Sequence, residues 1–247
     1  MDNRIVKKIF GEKVSVGTRC VETRLKWLEA ALLKVPKGSR ILDAGAGELD
    51  QKKFCGHLDY VSQDFGQYDG GGDGKGYQTT NWDNSKLDIV CDIVDIPEPD
   101  ASFDAIMCIE VFEHLPNPVA AIKEFSRLLK TDGTLIITAP FWSLTHFAPY
   151  HFCTGFNHYF YERNLVDHGF EIVEITPNGN YFEFIAQELL RISQIANDYT
   201  DSSISATDKA AILKLLLKLG ELSKKDKGSH EVLCFGYHVF ARRTAKR

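Results

Sequence analysis

Residues 41–50 constrain the fold of this chain more than any other segment. Their sequence, Ile-Leu-Asp-Ala-Gly-Ala-Gly-Glu-Leu-Asp, begins with an apolar run that Asp43 ends. Such a run is typical of a buried strand. Gly45 and Gly47 then let the backbone turn sharply and approach a ligand that a Cβ would push away. The segment therefore predicts a strand and a glycine turn, at which a nucleotide-like cofactor would bind.

Four further apolar segments follow the glycine turn, and each ends in polar or turn residues. They span residues 60–64, 87–92, 102–110 and 134–140. Between the last two, Asn117-Pro118 predicts the start of a helix, because proline is favoured at the first helical position. A strand, a helix and a strand joined by short connections favour a right-handed parallel crossover. The chain is therefore predicted to be an α/β protein.

Two segments depart from this alternation. Residues 66–86 contain the run Asp-Gly-Gly-Gly-Asp-Gly-Lys-Gly, which is too rich in glycine for a helix or strand and predicts a long loop. Residues 141–159 are instead dense in aromatic and histidine side chains. Elsewhere, periodic apolar residues predict helices at 21–35, 161–168, 181–197 and 207–224 and strands at 171–176 and 232–242.

Length and charge describe an ordinary globular protein. A chain of 247 residues lies near the upper limit for one hydrophobic core, so we predict a single domain. Within it we expect a helical segment at 1–37, a cofactor-binding half at 38–140, and a substrate-side half at 141–247 with a helical insertion at 180–227. The net charge of −5 gives no electrostatic reason to expect nucleic acid, which normally leaves a basic footprint.

Cysteines and apolar runs indicate the compartment. The six cysteines are scattered and form no Cys-x-x-Cys pair, which fits a reducing cytoplasm. The first residues lack an apolar signal region, and no stretch approaches the roughly 20 apolar residues that a membrane span needs. We therefore expect a cytoplasmic protein without a membrane span.

Four motifs give the chain a family resemblance. They are Asp43-Ala44-Gly45-Ala46-Gly47, the acid Asp64, the pair Asp92-Ile93, and Ile109-Glu110-Val111-Phe112-Glu113-His114-Leu115. On these motifs the chain resembles class I S-adenosylmethionine-dependent methyltransferases of the small-molecule type 11 family, over about residues 38–176. Residues 145–188 further resemble members from polysaccharide and surface-glycan biosynthesis. The resemblance implies a Rossmann-like, seven-stranded, mostly parallel sheet with helices on both faces and an antiparallel last strand.

The resemblance also implies a set of cofactor contacts. The glycine turn would hold the amino-acid end of S-adenosylmethionine, and Asp64 would receive the ribose hydroxyls, since a carboxylate can accept two hydrogen bonds from a diol. Asp92 and Ile93 would take the adenine, although Asp95 competes with Asp92 for this role. The residues expected to bind the cofactor are Asp43, Ala44, Gly45, Ala46, Gly47, Asp64, Phe65, Asp92, Ile93, Ile109, Glu110 and His114.

Several of these assignments have a structural alternative. Asp43 could cap the following turn without binding a cofactor. Asp64 could be a solvated loop acid, and His114 could be held in a hydrogen bond at the start of a helix. The chain also departs from many relatives at residues 49–50, where a third glycine or a further turn residue is common. Because Asp64 lies only seventeen residues after Gly47, the first crossover helix is predicted to be short.

The run His146-Phe147-Ala148-Pro149-Tyr150-His151 lies in the loop after the fifth predicted strand. Ligands of open parallel sheets gather outside the carboxyl ends of the strands, so we place the substrate here. An imidazole titrates near neutral pH and can accept a hydroxyl proton as a methyl group arrives. The candidate catalytic residues are His151 first, then His146, Tyr150 and His114. These side chains could instead only hold the loop together by hydrogen bonds.

A metal ion is another ligand to consider for this loop. His146, His151 and His158 are close in sequence, which makes the question reasonable. No acid lies among them, however, and no ligand spacing is recognisable. We therefore predict no metal.

These features together predict transfer of a methyl group from S-adenosylmethionine to an oxygen, with release of S-adenosylhomocysteine. The glycan resemblance implies a sugar, a nucleotide sugar or a glycan substituent as the acceptor, in polysaccharide or capsule biosynthesis. Methylation of an amine and a non-catalytic cofactor-binding or partner protein remain alternatives. A nicotinamide-dependent oxidoreductase is a third, but its usual Gly-x-Gly-x-x-Gly is absent here. The apolar helix at 207–224 leaves a homodimer open.

Overall fold

The computed structural model describes residues 14–245 of the chain. Within them the chain forms two compact units. The larger unit contains residues 26–176 and 236–245, and the smaller unit contains residues 14–25 and 177–235. The division predicted from sequence, one domain with halves that meet at residue 140, stays a prediction.

One sheet of seven strands organises the larger unit. The strands are β1 (Arg40–Ala44), β2 (Asp59–Asp64), β3 (Ile89–Val90), β4 (Phe103–Ile109), β5 (Leu129–Pro140), β6 (Phe170–Asn178) and β7 (Gly236–Arg243). Their order is β3-β2-β1-β4-β5-β7-β6. The neighbours among β1 to β5 pair in parallel, and β7 pairs with β5 in the antiparallel direction. The predicted fold class, a Rossmann-like and mostly parallel sheet with an antiparallel last strand, is confirmed.

Five α-helices lie within the described residues 14–245. They are α1 (Cys20–Leu32), α2 (Pro118–Leu128), α3 (His158–Asp167), α4 (Tyr181–Tyr199) and α5 (Ala206–Ser223). α2 shows why the sequence forms them: the Asn117 side chain accepts a hydrogen bond from the Ala120 amide, and proline follows this cap. Ala121, Ile122, Phe125 and Leu128 are then fully buried, at the spacing of one helical face.

The core of the larger unit lies between the central strands and the second half of α1. Leu28 and Leu32 of the helix pack with Ile41 of β1, Met107 of β4 and Ile136 of β5, and all five side chains are fully buried. Strands that are covered by helices need continuous apolar runs rather than alternation. This requirement explains why the short apolar segments could be recognised in the sequence.

The connection after β1 is as short as predicted, whereas β3 is shorter than predicted. Only a single 3₁₀ turn, Lys52–Phe54, lies between β1 and β2, in agreement with the short crossover expected there. β3 has two residues instead of the six predicted at 87–92. Before it, the Asp88 carboxylate accepts hydrogen bonds from the amide and hydroxyl of Ser62, at 2.9 and 2.7 Å. These side-chain bonds replace strand pairing at that point.

The smaller unit has its own apolar cluster. Val14, Val16, Ala186, Leu190, Leu216 and Leu219 form it. A capping box between Ser205 and Asp208 begins α5. Leu216 and Leu219 face the cluster, whereas Leu215 and Leu217 on the same helix are about half exposed. One face of α5 therefore packs in the core of the smaller unit. The homodimer stays a prediction. Among the described residues, no helix is long and apolar enough to cross a membrane.

Candidate active site

The glycine turn after β1 is held by main-chain hydrogen bonds to β2. The amides of Gly45 and Ala46 both donate to the Gln63 carbonyl, each at 2.8 Å. Gly45 has a φ of +81°, and a Cβ there would lie 2.5 Å from a methyl group of Val111. Glycine is therefore required both for the backbone conformation and for the close approach of the residues after β4.

Asp64, at the end of β2, links the glycine turn to the loop that follows. One carboxylate oxygen accepts the Gly47 amide at 3.1 Å, and the other accepts the Gly66 amide at 2.9 Å. The side chain is 9% exposed. A carboxylate has about four lone-pair positions, so two amide donors leave capacity for a further pair of donors. Asp64 is thus fixed beside the turn rather than solvated, which supports its predicted contact with a diol.

Asp43 is the buried acid of the glycine motif. It is 1% exposed, and one carboxylate oxygen accepts the Tyr60 hydroxyl at 2.6 Å. The pKa of Asp43 is raised from 3.8 to about 7, mainly by burial. The Tyr60 hydrogen bond lowers this pKa, and the nearby charge of Asp64 raises it, and both effects are included in the value. The carboxyl therefore bonds to Tyr60 and does not cap the turn in the way the alternative supposed.

We expect Asp43→Asn to gain stability relative to the wild type as the pH rises. Because the folded-state pKa of Asp43 is about 7 and its ordinary value is 3.8, the unfolded chain loses this proton first, and the wild type loses stability between about pH 4 and pH 7. The amide has no proton to lose in this range. The difference in free energy of unfolding should grow by roughly 2 to 3 kcal/mol from pH 5 to pH 8, measured by urea denaturation.

Asp88→Asn is the matched control for that experiment. The hydrogen bonds from Ser62 lower the pKa of Asp88, so its contribution is present above the ordinary pKa of the acid and is lost as the pH falls. This variant should therefore lose stability relative to the wild type at pH 5 and above. A pH-independent difference for Asp43→Asn would show that the buried carboxyl titrates normally.

The predicted adenine acids lie after β3. Asp92 is exposed, and its carboxylate accepts the Val94 amide at 3.2 Å in a local turn. Asp95 is exposed as well, while Ile93 is buried at 5% exposure. The Cys91 amide before them donates to the Asp64 carbonyl at 3.1 Å. This bond places the predicted adenine segment beside the predicted ribose acid.

The residues after β4 complete the predicted cofactor edge. Ile109 ends the strand, and Glu110 follows with a φ of +57°, which is unusual for a residue other than glycine. Its carboxylate accepts the Thr138 hydroxyl of β5 at 2.9 Å. Phe65, beyond β2, packs edge-on against the Tyr150 ring at 4.8 Å. Glu110 is therefore positioned by β5, and Phe65 is positioned by the loop at 141–159, which is called the histidine loop below.

The glycine-rich loop at 66–86 packs onto the histidine loop. Tyr77 forms a β-bridge with His146, and the Phe147 amide donates to the Tyr77 carbonyl at 2.9 Å. Trp82 lies 5.1 Å from the Phe147 ring between centroids, and its ring would meet a Cβ on Gly47 at 2.7 Å. An aromatic ring thus covers the glycine turn. Glycine content predicted a loop here, but it could not indicate what the loop covers, because the pairing is between distant segments.

Three of the predicted catalytic residues come together. The rings of His114 and His146 lie 4.6 Å apart, His146 and His151 lie 5.0 Å apart, and His114 and His151 lie 6.0 Å apart, between centroids. Burial, and to a smaller extent the neighbouring His146, lower the pKa of His114 to about 3. The His114 ring is therefore neutral at physiological pH. His158, by contrast, packs on Tyr159 and Tyr237.

His151 is held in one tautomer by Ser143. The Ser143 hydroxyl donates to the Thr154 carbonyl at 3.0 Å, and it lies 3.1 Å from His151 Nε2. Because the hydroxyl has a single proton, Nε2 must donate to it, and Nδ1 is then the basic nitrogen. Burial lowers the pKa of His151, so the ring is neutral and able to accept a proton.

Tyr150 and Glu113 both lie beside His114. His114 Nδ1 lies 2.6 Å from the Tyr150 carbonyl, to which it donates, so the His114 ring is held by the loop after β5. Glu113 was not selected from the sequence, yet it is 1% exposed and lies beside His114 and His146. The sequence feature that could have indicated Glu113 is its position directly before His114.

Comparisons with known proteins identify the fold. Residues 75–137 match a family model described as a methyltransferase domain. The ubiquinone biosynthesis O-methyltransferase of Xanthomonas campestris pv. campestris (strain B100) is 46% identical over 41 residues. That match spans 17% of this chain and 17% of the relative's length. The sequence similarity is therefore high but confined to a short segment.

Solved structures extend the match to most of the chain. The [4+2]-cyclase SpnF matches with a TM-score of 0.54 at 18% identity, over 91% of this chain and 82% of that one. Geranyl diphosphate C-methyltransferase from Streptomyces coelicolor A3(2), solved with Mg²⁺, geranyl-S-thiolodiphosphate and S-adenosyl-L-homocysteine, matches with a TM-score of 0.52 at 15% identity. The match covers 90% of this chain and 76% of that one. The chain has a class I methyltransferase fold.

The methyltransferase fold gives the site its orientation. The glycine turn follows β1, Asp64 ends β2, Glu110 follows β4 and the histidine loop follows β5, so all four lie at the carboxyl ends of parallel strands. This is the edge at which open α/β sheets bind ligands. Asp64, Glu110 and the histidines therefore share one edge of the sheet.

Proposed function

We propose that this protein is an S-adenosylmethionine-dependent methyltransferase that transfers the methyl group to a hydroxyl oxygen of its acceptor. The observation that carries the proposal is the junction at Asp64, whose carboxylate holds the glycine turn and the next loop together. A second support is the match of residues 75–137 to a methyltransferase domain. The released product is S-adenosylhomocysteine.

The cofactor would lie along the edge between the glycine turn and β2. The amino-acid end would meet the turn at 45–47, the ribose hydroxyls would donate to Asp64, and the adenine would lie beside Ile93. Trp82 covers Gly47, and an aromatic face favours a positively charged sulfonium. We propose Asp43 as a second acid at this end, because its buried charge would be stabilised by the cofactor's ammonium group.

The acceptor is proposed to be a hydroxyl compound. The aromatic rings of the histidine loop offer flat apolar faces, and the imidazole of His151 offers a base within the same loop. A sugar, nucleotide sugar or glycan substituent, as the family resemblance implies, suits both features. The Xanthomonas relative is named as an O-methyltransferase, which also favours oxygen over nitrogen. The role in polysaccharide or capsule biosynthesis and the cytoplasmic location stay predictions.

Methyl transfer to a hydroxyl requires an aligned acceptor and a base that takes the hydroxyl proton. The acceptor oxygen attacks the methyl carbon in line with the departing sulfur; the new C–O bond forms as the C–S bond breaks, and the sulfonium becomes a neutral thioether. Holding the reacting atoms roughly 3 to 3.5 Å apart accounts for much of the acceleration. His151 Nδ1 would take the hydroxyl proton. Methylation of an amine would need this base less, because the amine can lose its proton after attack.

A calorimetric titration with S-adenosylmethionine tests the cofactor assignment, with NAD as the control. We expect saturable binding of S-adenosylmethionine alone, because the turn lacks the third glycine that a pyrophosphate site uses. Binding of NAD in its place would overturn the proposal. An acceptor screen with nucleotide sugars first, then phenols and amines, would follow. Binding of the cofactor without turnover on this panel would favour a non-catalytic role.

A further inference from the structure

We propose that Glu113, His114 and His146 bind a divalent transition-metal ion. These three residues are called the HHE cluster below. Their candidate ligand atoms, one carboxylate oxygen and two imidazole nitrogens, all lie within 4.8 Å of one another. The residue types match a set that binds zinc and iron in proteins, two imidazoles and one carboxylate.

The geometry converges on one carboxylate oxygen. Oε1 of Glu113 lies 3.8 Å from Nε2 of His114 and 3.9 Å from Nε2 of His146. Bonds of about 2.0 to 2.2 Å to one ion, in tetrahedral arrangement, would place such ligand atoms roughly 3.4 Å apart. The cluster therefore needs to contract by only about half an ångström along the two measured distances. The same carboxylate oxygen of Glu113 already faces Nε2 of both imidazoles.

The other nitrogen of each imidazole fixes the ring. Nδ1 of His114 lies 2.6 Å from the Tyr150 carbonyl, and Nδ1 of His146 lies 2.8 Å from the Leu144 carbonyl. A carbonyl only accepts, so both Nδ1 atoms carry a proton, and Nε2 of each ring lies on the Glu113 side. Metal-bound histidines characteristically donate their second nitrogen to a carbonyl or carboxylate in this way.

The surrounding chain holds the two halves of the HHE cluster together. Glu113 and His114 lie in the 3₁₀ turn Phe112–His114 after β4, and the Glu113 carbonyl accepts the amides of Phe152 and Cys153 at 2.9 and 3.1 Å. His146 is fixed by its bridge to Tyr77 in the glycine-rich loop. A buried carboxylate facing two imidazoles is thus held by main-chain bonds from three segments.

The role of the ion rests on the proposed function. The HHE cluster supplies three ligands, which leaves at least one position of a four-coordinate ion for an acceptor oxygen. A hydroxyl bound there would lose its proton more readily, and His151, whose ring is 5.0 Å from that of His146, is placed to take it. The oxygen would then attack the methyl carbon as described above. The inference therefore narrows the acceptor to compounds whose hydroxyl can ligate a metal.

Cobalt binding to the full chain tests the HHE cluster without any activity measurement. Protein treated with a chelator and dialysed is titrated with Co²⁺ while the visible absorption is recorded. We expect one equivalent to bind with a d–d spectrum of nitrogen and oxygen ligands, and with no thiolate-to-cobalt charge-transfer band. The absence of that band excludes the six cysteines as ligands.

Three variants decide whether the bound ion is the proposed one. His146→Ala removes a partly exposed loop ligand, and Glu113→Gln keeps the shape of the buried side chain; each should weaken Co²⁺ binding by roughly 100-fold or more, beyond the loss typical of supporting residues. His158→Ala is the matched control and should bind normally. Circular dichroism shows whether each variant is folded. Absence of binding, a thiolate band, or unchanged binding in folded His146→Ala would each overturn the inference.

The same samples separate this inference from the proposed function. S-adenosylmethionine is titrated into the chelator-treated protein and into the cobalt-loaded protein. Cofactor binding without any cobalt binding would overturn the metal site and leave the methyltransferase proposal standing. Cobalt binding that depends on the HHE cluster, without cofactor binding, would keep the metal site and overturn the proposed function.

Discussion

His151→Ala is expected to lower kcat for methyl transfer by about 10²- to 10⁴-fold, the range that a positioned general base contributes. The affinity for S-adenosylmethionine should stay within about twofold, because no contact of His151 reaches the glycine turn or Asp64 among those described. His151 is the expected base because its Nε2–H donates a hydrogen bond to the Ser143 hydroxyl, which leaves Nδ1 as the basic nitrogen. Single-turnover kinetics on the best acceptor of the screen, with cofactor affinity from calorimetry, measure the two quantities separately.

Two further variants show whether His151 acts as a base or only supports the loop. His158→Ala removes an imidazole from α3, where it packs on Tyr159 and Tyr237, and should leave kcat unchanged. Ser143→Ala keeps the imidazole but removes its hydrogen-bond partner, so we expect an intermediate loss of kcat. Wild-type turnover in His151→Ala would remove this residue from the mechanism. A loss of cofactor affinity equal to the loss of kcat would point to a collapsed loop instead.

The second large effect is expected for Asp64→Ala, which should weaken S-adenosylmethionine binding by about 100-fold or more. Hydrogen bonds to a charged group contribute about 1.5 to 3 kcal/mol each, and the ribose would lose two. The variant also releases the amides of Gly47 and Gly66, which the carboxylate holds at 3.1 and 2.9 Å. Calorimetric titration of the purified variant gives the affinity, and urea denaturation gives the accompanying loss of stability.

Asp64→Asn and Asp88→Asn separate the loss of cofactor affinity in Asp64→Ala from its loss of stability. Asp64→Asn keeps the size of the side chain but offers one acceptor oxygen, so it should lose most of the cofactor affinity with less loss of stability. Asp88→Asn changes an exposed acid that lies just before β3 and bonds to Ser62 of β2, and this variant should bind the cofactor normally. An unchanged affinity in folded Asp64→Ala would refute the ribose assignment and leave Asp64 a purely structural residue.

The positions of the strands along the chain and the glycine turn could be predicted because both depend on neighbours in the chain. Apolar runs mark covered strands wherever they pair, and Gly45 and Gly47 mark positive φ values whatever lies nearby. The short crossover before β2 followed from counting residues. The predicted cofactor roles of Asp43 and Asp64 came instead from the family resemblance, in which such acids follow the first two strands. The exact strand ends were less accurate, because they depend on side-chain bonds such as that of Asp88.

The contents of the site depended on contacts between segments that are far apart in sequence. Residue spacing could not indicate that Glu113 faces His146, that the loop at 66–86 covers the glycine turn, or that Tyr60 bonds to Asp43. The sequence suggested a group of His146, His151 and His158, whereas folding replaces His158 with His114 and adds a buried acid. Sequence patterns report what each residue does to its own backbone and helical or strand face. Which side chains meet across the carboxyl ends of the strands is decided only when the loops pack, since main-chain hydrogen bonds between those loops set the distances.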